Sequence, residues 1–234
     1  MIKSIKNKIG IITGSGPEAG IDLWQKILCE SRRILGSKFR GDLDAPHMII
    51  HSIPDLGHSM ELLKNKSMIW SILNDTMKKI CRDVDFFCIA CNTLHYFQDN
   101  IKSNILFKEK FVSVVDEIEN LIKQQKIEKA CLLGSRYVMD INRFEIFKPL
   151  KKNLEIEIYE DIESVHNLIY EIKKIGANNA KNIEHYQNIL NNITSEVVIL
   201  ACTELPLINI DFGKKVINCN DVLAKALITK CKKK

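Results

Sequence analysis

The sequence is poor in the features that mark several protein classes. Its 234 residues include only 10 glycines and 5 prolines, and 7% of the residues are aromatic. So few glycines and prolines exclude a collagen-like or low-complexity chain. The scarcity of aromatic side chains argues against a stacking platform for single-stranded nucleic acid. No apolar run approaches the roughly 18 to 20 residues that a membrane-spanning helix requires.

The chain also shows no secretory signature. The apolar stretch from Ile9 to Ile12 is too short for the h-region of a signal peptide, so we expect a soluble, cytoplasmic protein. Its eight cysteines are then expected as free thiols. Much of the net charge of +5 lies in residues 230–234, which we interpret as a solvated, frayed helix end. Without a basic face interleaved with aromatic residues, we expect neither a nucleic-acid nor a membrane partner.

What the sequence does contain is an alternation of short apolar runs with amphipathic stretches. The runs that predict strands are 9–13, 47–53, 84–90, 111–115, 130–133, 154–159, 197–201 and 215–217. Stripes of apolar residues at helical spacing lie between most of them, and a last stripe covers 221–230. This alternation predicts an α/β fold with parallel sheets and helices on both faces. No linker rich in glycine or serine divides the chain.

Two segments about half a chain apart resemble each other. Residues 86–93 (FFCIACNT) and 197–204 (VVILACTE) each read as a buried strand followed by Ala-Cys, with a threonine within two residues. Open α/β sheets bind ligands at the carboxyl ends of their strands. There a thiol also meets the start of a helix, where backbone N–H groups and the helix dipole lower a thiol pKa.

A matched pair of thiols, Cys91 and Cys202, suits a two-base proton transfer. In such a reaction one group removes a proton from carbon and the other returns one on the opposite face. For either cysteine alone, a buried structural role is the simpler interpretation. Their equivalent positions on similar strands favour a role in chemistry.

Several short segments strengthen this hypothesis. Residues 14–19 (GSGPEA), 91–95 (CNTLH) and 202–205 (CTEL) follow one another along the chain, and residues 54–55 (PD), 132–137 (LLGSRY) and 169–171 (IYE) with Lys174 accompany them. Together they resemble the signatures of aspartate racemases, cofactor-independent enzymes of the Asp/Glu racemase superfamily. The similarity spans nearly the whole chain.

The resemblance implies two pseudo-symmetric, flavodoxin-like or Rossmann-like α/β domains, with the active site in the cleft between them. We expect residues 1–113 and 209–234 to form an N-terminal lobe that carries Cys91, and residues 114–208 to form a C-terminal lobe that carries Cys202. The resemblance further implies a homodimer that acts on a small-molecule amino acid. Cys91 and Cys202 would be its acid and base, without pyridoxal phosphate, another cofactor or a metal.

The same resemblance points to residues around the two cysteines. The candidates for holding the substrate are Gly14, Ser15, Gly16, Asn92, Thr93, Arg136, Lys174 and Thr203, with Asp55, His95 and Glu204 in supporting roles. An amino acid's α-hydrogen is very weakly acidic, so without a cofactor, donors aimed at the carboxylate must stabilise the developing charge. N-capping explains any one of the small polar residues equally well.

Four of these candidates have alternative interpretations. His95 fits either a contact with the thiol or a backbone bond at a helix end. For Glu204 we favour helix capping over an effect on the Cys202 pKa. Lys174 fits a solvated helix position as well as a substrate contact, and Arg136 could simply brace its loop.

Two sequence details bear on specificity and on other chemistry. Leu56 stands directly after Pro-Asp, where aspartate racemases often have an arginine for the substrate side-chain carboxylate. Aspartate is the first expectation by family, with glutamate or a broader range close behind. Cys88 and Cys91 have CxxC spacing, but Cys88 lies inside the apolar strand, so we expect neither a metal nor a redox role.

Two other functions stay open at this point. The same fold could support a maleate-isomerase-like or decarboxylase-like reaction that needs one essential cysteine. It could also belong to a non-catalytic protein that binds a ligand. Retention of both cysteines favours the racemase.

Overall fold

Over the residues that the structure describes, seven short parallel strands form two separate sheets. The structure is a computed structural model and describes residues 7–211 and 213–232. The strand order is β2-β1-β3 in the first sheet and β5-β4-β6-β7 in the second. The strands are β1 (Ile9–Thr13), β2 (Met48–Ser52), β3 (Phe86–Ile89), β4 (Lys129–Gly134), β5 (Glu155–Ile158), β6 (Val197–Ala201) and β7 (Lys215–Asn218). The predicted α/β class with parallel sheets is confirmed.

The helices follow the apolar stripes of the sequence. They are α1 (Pro17–Leu35), α2 (Leu62–Ile80), α3 (Gln98–Ser103), α4 (Val114–Gln125), α5 (Arg136–Met139), α6 (Ile141–Phe144), α7 (Ile162–Ile175), α8 (Ala180–Asn191) and α9 (Cys219–Lys232). Short 3-10 segments, among them Pro54–Glu61 and Thr93–Phe97, join several of these elements. None of the helices within the described ranges is long and apolar enough to cross a bilayer. The predicted frayed helix end lies in part outside the described residues, which stop at Lys232.

Contacts divide the described residues into two units, each with one sheet. The first unit contains the residues up to Ala90, Phe97–Val114 and the residues from Asn220 onward, and the second contains Cys91–Tyr96 and Val115–Cys219. The predicted lobes differ from these units at Val114, which belongs to the first unit, and in the segments 91–96 and 209–219, which belong to the second. For the later segment the reason is the backbone pairing of β7 with β6, for example between Val216 and Val198.

In the first unit, β1 is the central strand and is buried along its whole length. Its apolar run has no polar interruption because both of its faces are covered, as is usual for a parallel sheet. Helices α1 and α2 pack against it. In the second unit β4 and β6 are central, α5 and α7 pack on β4, and α8 packs on α7.

The predicted strand at residues 111–115 is wrong. Only one bridge forms there, between Phe111 and Phe87, supported by backbone bonds from Phe87 N–H to Lys110 O and from Val112 N–H to Phe87 O. The apolar run is cut short because α4 begins at Val114. The valines of this run made a strand the expected structure, but the last two of them, Val114 and Val115, are the first residues of α4.

The β1–α1 junction depends on two glycines and Thr13. Gly14 has a φ of 112°, and a Cβ there would lie 2.2 Å from the carbonyl oxygen of Ile53. Thr13 fills the space under α1, because its Oγ1 donates to the carbonyl oxygen of Gly16 over 3.2 Å and a Cβ on Gly20 would lie 2.4 Å from that Oγ1. Because the side chain of Gly20 is only a hydrogen atom, α1 can approach β1 closely.

We predict that Gly20→Ala destabilises the protein, although alanine is the better helix former by about 1 kcal/mol. The added methyl group would overlap the stiff, buried Thr13 side chain, and such overpacking costs about 1 to 3 kcal/mol. Urea unfolding measures the change. Gly57→Ala is the matched control, because nothing lies within 4 Å of its Cβ position. Equal unfolding midpoints for the two variants would contradict the account.

A second prediction concerns the buried thiol in β3. Burial raises the pKa of Cys88 from 9.0 to about 12. Below about pH 9 the Cys88 thiol is protonated in both the folded and the unfolded protein. Between about pH 9 and pH 12 it ionises in the unfolded protein but stays protonated in the folded one. The free energy of unfolding therefore falls as the pH rises from about 9 towards 12.

We expect Cys88→Ala to reduce this alkaline loss of stability, in urea titrations below and above pH 9. Cys29→Ala removes an exposed thiol and should leave the alkaline loss unchanged. An identical pH dependence in Cys88→Ala and the wild type would show that the thiol is not held protonated by the fold.

Candidate active site

The residues of interest follow the four strands that flank the reversals of strand order. These strands are β1 and β3 in the first sheet and β4 and β6 in the second. Open parallel sheets bind ligands outside the carboxyl ends of such strands. Residues 14–16 follow β1, residues 91–93 follow β3, residues 135–136 follow β4, and residues 202–204 follow β6.

In the first unit, residues 14–16 form the tight turn that the sequence predicts. Gly14 and Gly16 both have a positive φ, and the turn leads directly into α1. Ser15 is 1% exposed, and its Oγ lies 2.6 Å from the Oγ of Ser59. Asp55 is exposed on the 3-10 segment that also carries Ser59. The start of a helix attracts anions through its backbone N–H groups and dipole, so this turn at the start of α1 suits an anionic group.

Cys91 opens a buried polar segment that belongs to the second unit. Cys91, Asn92 and Thr93 are each 6% exposed or less, and His95 is fully buried. The Nδ1 of His95 lies 3.2 Å from the carbonyl oxygen of Cys91, and its backbone N–H donates to the carbonyl oxygen of Asn92. The structure thus contains the backbone bond that was one of the two interpretations of His95, and this bond braces the turn that holds Cys91.

The side chains of Asn92 and Thr93, which follow Cys91, differ in their hydrogen bonding. The Oγ1 of Thr93 lies 2.7 Å from the Oγ of Ser135, a contact that links the loop after β3 to the loop after β4. The side-chain oxygen and nitrogen of Asn92 are buried, and neither has a hydrogen-bond partner among the described residues. Burying an amide without partners is costly, so Asn92 has donors and an acceptor available for a bound molecule.

Cys202 lies next to a buried carboxylate. Its Sγ is 3.0 Å from the Oε2 of Glu204, which also accepts a bond of 3.1 Å from the Oγ1 of Thr203. Cys202 is 7% and Glu204 is 4% exposed. The predicted capping role of Glu204 is wrong, because its side chain makes no cap bond to the 3-10 segment Leu205–Leu207 that follows. The carboxylate contacts the thiol instead.

Lys173 carries the positive charge in this part of the second unit. Its ammonium forms an ion pair with the Oε1 of Glu204. Burial lowers the pKa of Lys173, but the negative charges of Glu204, Cys91 and Cys202 outweigh that effect and leave the pKa raised. The ionised form of either cysteine would therefore act on this one ammonium.

The lysine at Glu204 is Lys173, and not its neighbour Lys174, which the family resemblance pointed to. Lys174 is exposed on α7, and the structure does not bring it to Glu204. A signal for Lys173 was present in the helical periodicity, because it follows the buried residues Val165 and Ile169 in steps of four. Lys174 is one step of about 100° further round the helix.

The thiol of Cys202 is held in its protonated form. Burial raises its pKa well above the ordinary value, and the charge and hydrogen bond of Glu204 raise it further, against the lowering effect of Lys173. The expectation of a depressed pKa at a helix start is therefore wrong for this cysteine. Burial, with smaller contributions from Cys202 and Cys131, also raises the pKa of Tyr186 on α8 well above its ordinary value.

Arg136 is engaged by other parts of its own unit. Its Nη2 lies 2.7 Å from the Oε2 of Glu163, and its backbone N–H donates to the Nδ1 of the buried His166. Its Nε is buried, without a hydrogen-bond partner among the described residues. The observed contacts match the bracing interpretation of Arg136.

The second unit therefore brings together the segment around Cys91, the segment around Cys202 and the α7 ammonium. Thr93, Thr203 and Glu204 have the contacts given above, whereas Lys174 lies apart on an exposed face. Gly14, Ser15, Gly16 and Asp55 belong to the first unit. The arrangement offers two thiols, one carboxylate that accepts a proton or hydrogen bond, one ammonium and an unsatisfied amide.

Comparison with known proteins shows which family has this sequence and fold. A sequence profile of the Asp/Glu/hydantoin racemase family matches residues 12–227. The broad specificity amino-acid racemase RacX of Bacillus subtilis (strain 168) is 25% identical over 233 residues, which cover 94% of this chain and 96% of that protein.

Two solved structures share the fold over nearly the whole chain. The aspartate racemase of Picrophilus torridus has a TM-score of 0.80 at 21% identity, with 96% of this chain and 94% of that chain covered. An aspartate racemase homologue from Pyrococcus horikoshii OT3 has a TM-score of 0.73 at 27% identity, with 96% and 99% covered. Because the family profile spans most of the sequence, the chain belongs to the Asp/Glu/hydantoin racemase family and is an isomerase of the amino-acid racemase type.

Proposed function

We propose that the protein interconverts the L and D forms of amino acids by proton transfer between Cys91 and Cys202, without a cofactor. One thiolate takes the proton from the α-carbon while the other thiol delivers its proton to the opposite face. The C–H bond breaks on one side and a new C–H bond forms on the other, so the two sulfur atoms exchange protonation states. The reverse reaction uses the same two groups in exchanged roles.

The observation that carries this proposal is that one ion pair lies close to both thiols. Glu204 Oε2 accepts the hydrogen bond from Cys202 Sγ over 3.0 Å, its Oε1 forms the ion pair with Lys173, and an ionised Cys91 would act on the same ammonium. A site for two-base transfer needs both groups within reach of one small substrate, and a common counter-ion is what that proximity produces. Neither cysteine behaves as an isolated core residue.

The carbanion-like charge must be stabilised by groups that are already in place. Electrostatic stabilisation by fixed donors is usually the largest contribution to such a reaction. Asn92 follows Cys91 directly and has a buried amide with no protein partner among the described residues. We therefore assign Asn92 to the substrate's α-carboxylate or ammonium group, with Thr93 and Thr203 beside the two sulfurs as further binding groups.

For the substrate we propose a range of amino acids rather than aspartate alone. The protein's own carboxylates already occupy Lys173, paired with Glu204, and Arg136, paired with Glu163. Leu56 is fully buried and cannot pair with a substrate carboxylate. An acidic side chain of the substrate would have to compete for a cation, whereas a neutral one would not. The similarity to a broad specificity racemase supports this range.

We predict that Cys91→Ala and Cys202→Ala each lower kcat by about a hundredfold to ten-thousandfold for both enantiomers, because each removes an acid-base group. Racemisation is followed by polarimetry, or by chiral chromatography of the products, on purified protein without pyridoxal phosphate. Cys88→Ala is the matched control. Cys88 is a buried thiol three residues before Cys91 but lies inside β3, so its removal should leave kcat nearly unchanged.

Full activity in either the Cys91 or the Cys202 variant would refute the paired mechanism. Loss of activity in Cys88→Ala to the same degree would show that the loss reflects packing and not chemistry.

We also predict that at least one neutral amino acid has a kcat/KM equal to or above that of aspartate. The reason is the occupation of both cations by protein carboxylates. Glu163→Gln, which releases Arg136, should raise the kcat/KM for aspartate relative to the neutral substrate. A preference of wild-type protein for aspartate by more than about tenfold, equivalent to about 1.4 kcal/mol, would contradict the proposed range.

A further inference from the structure

Glu204 is a buried carboxylate that the two-thiol scheme does not use. Its Oε2 accepts the hydrogen bond from Cys202 Sγ at 3.0 Å and from Thr203 Oγ1 at 3.1 Å. Its side chain is 5% exposed. Buried carboxylates are expensive unless charge or hydrogen bonds compensate them. A carboxylate retained at such a cost beside a reactive thiol calls for a specific role.

The other oxygen of this carboxylate fixes its position. Oε1 forms the ion pair with Lys173, which comes from α7, while Glu204 itself follows β6. The two oxygens thus have separate tasks, since one is held by the ammonium and the other faces the thiol. The Thr203 hydroxyl limits rotation of the second oxygen, so the acceptor lone pairs point at Cys202 and Thr203 together.

We propose that Glu204 is a positioning residue for the proton of Cys202. Anchored by Lys173, its carboxylate accepts the thiol hydrogen bond and keeps Cys202 protonated and oriented in the resting enzyme. This inference rests on the proposed two-thiol function and deepens it. It makes the pair asymmetric, with Cys202 as the proton donor and Cys91 as the acceptor in the first turnover.

Each proton in this first turnover has a defined donor and acceptor. Cys91 receives the α-proton from one face of the substrate, and Cys202 gives its own proton to the other face. The resulting Cys202 thiolate lies beside the Lys173 ammonium, which balances the new charge, but it has lost the bond that it donated to Glu204. A proton returns to Cys202, and one leaves Cys91, either through solvent or through conversion of the opposite enantiomer.

The charged and titratable groups around Cys202 come from several elements. Glu204 and Lys173 act on it directly, and Tyr186 on α8 is a buried neutral phenol that senses its charge. Cys91 acts on the same Lys173. Within this group Glu204 is the negative charge in direct contact with the thiol, so its removal should be the change that releases the Cys202 proton.

The test measures the ionisation of Cys202 in the full-length protein. Alkylation by iodoacetamide is followed as a function of pH, and peptide mass spectrometry quantifies the label on Cys202 itself. Glu204→Gln keeps the shape of the side chain and removes its charge. We expect the alkylation midpoint to move to lower pH by about one to three units, the usual effect of one adjacent charge.

Two further variants serve as a conservative substitution and as a control for the loss of charge. Glu204→Asp keeps the charge but withdraws it by one methylene group, so its midpoint should shift in the same direction by less; it also serves if Glu204→Gln does not fold. Glu171→Gln removes the same charge from the exposed face of α7 and should leave the midpoint unchanged. Circular dichroism and urea unfolding verify that each variant is folded.

Activity provides the second readout. The alkaline limb of the kcat/KM profile, where the pair loses its last proton, should move to lower pH in Glu204→Gln. Because the equilibrium constant of racemisation is one, the shift must be the same for L and D substrates. A purely structural role of Glu204 would lower kcat/KM at every pH without moving the limb.

The outcomes separate this inference from the proposed function. An alkylation midpoint of Cys202 that is unchanged or raised in Glu204→Gln overturns the role of Glu204, even if both cysteines are essential. A lowered midpoint with an unmoved pH profile also overturns it, because the proton would then be irrelevant to turnover. Full activity of Cys202→Ala refutes the two-thiol function, while the alkylation result still reports whether Glu204 holds the thiol proton.

Discussion

The ion pair between Lys173 and Glu204 is the interaction on which the candidate site depends. It is largely buried, with the side chains of Lys173 and Glu204 19% and 5% exposed, and it joins α7 to the loop after β6. Removing one member of a buried pair leaves an uncompensated charge and costs about 3 to 5 kcal/mol. Its carboxylate and its ammonium also act on the Cys202 thiol in opposite directions, since Glu204 favours the protonated form of Cys202 and Lys173 favours the ionised form. Packing and chemistry therefore use the same charges.

The parallel sheets explain why these groups lie where they do. In a parallel sheet all strands end at the same edge, so loops that follow neighbouring strands are close in space. Ser135 follows β4 and Cys202 follows β6, its neighbour in the second sheet. The bond between Thr93 and Ser135 adds the segment of Cys91 to this edge. Short, fully buried strands position the loops, and the loops carry the polar groups.

Apolar runs of consecutive residues predicted the seven observed strands, and the run at 111–115 predicted one more that does not form. Local motifs were enough to select the two cysteines and the small polar residues as candidates, and their roles stay predictions. The sequence did not predict partners that meet only in three dimensions. Lys173 was missed because its role depends on which side of α7 faces Glu204, and Lys174 differs from it by one helical step. Glu204 was assigned to capping because proximity to a helix start is visible in sequence, whereas the contact with the Cys202 thiol is not. The assignment of β7 to the second unit likewise depends on its pairing with β6, which the sequence does not reveal.

The central claim is that two different thiols handle the proton on opposite faces of the α-carbon, and its most direct test is isotopic. Racemisation of a protiated L-amino acid in deuterated water is sampled at early conversion, and both enantiomers are analysed for deuterium at the α-carbon. The account predicts that the D product carries solvent deuterium from the first turnover while the recovered L substrate stays unlabelled. A D product that retains the original protium would mean that one group removes and returns the same proton, and would contradict the account.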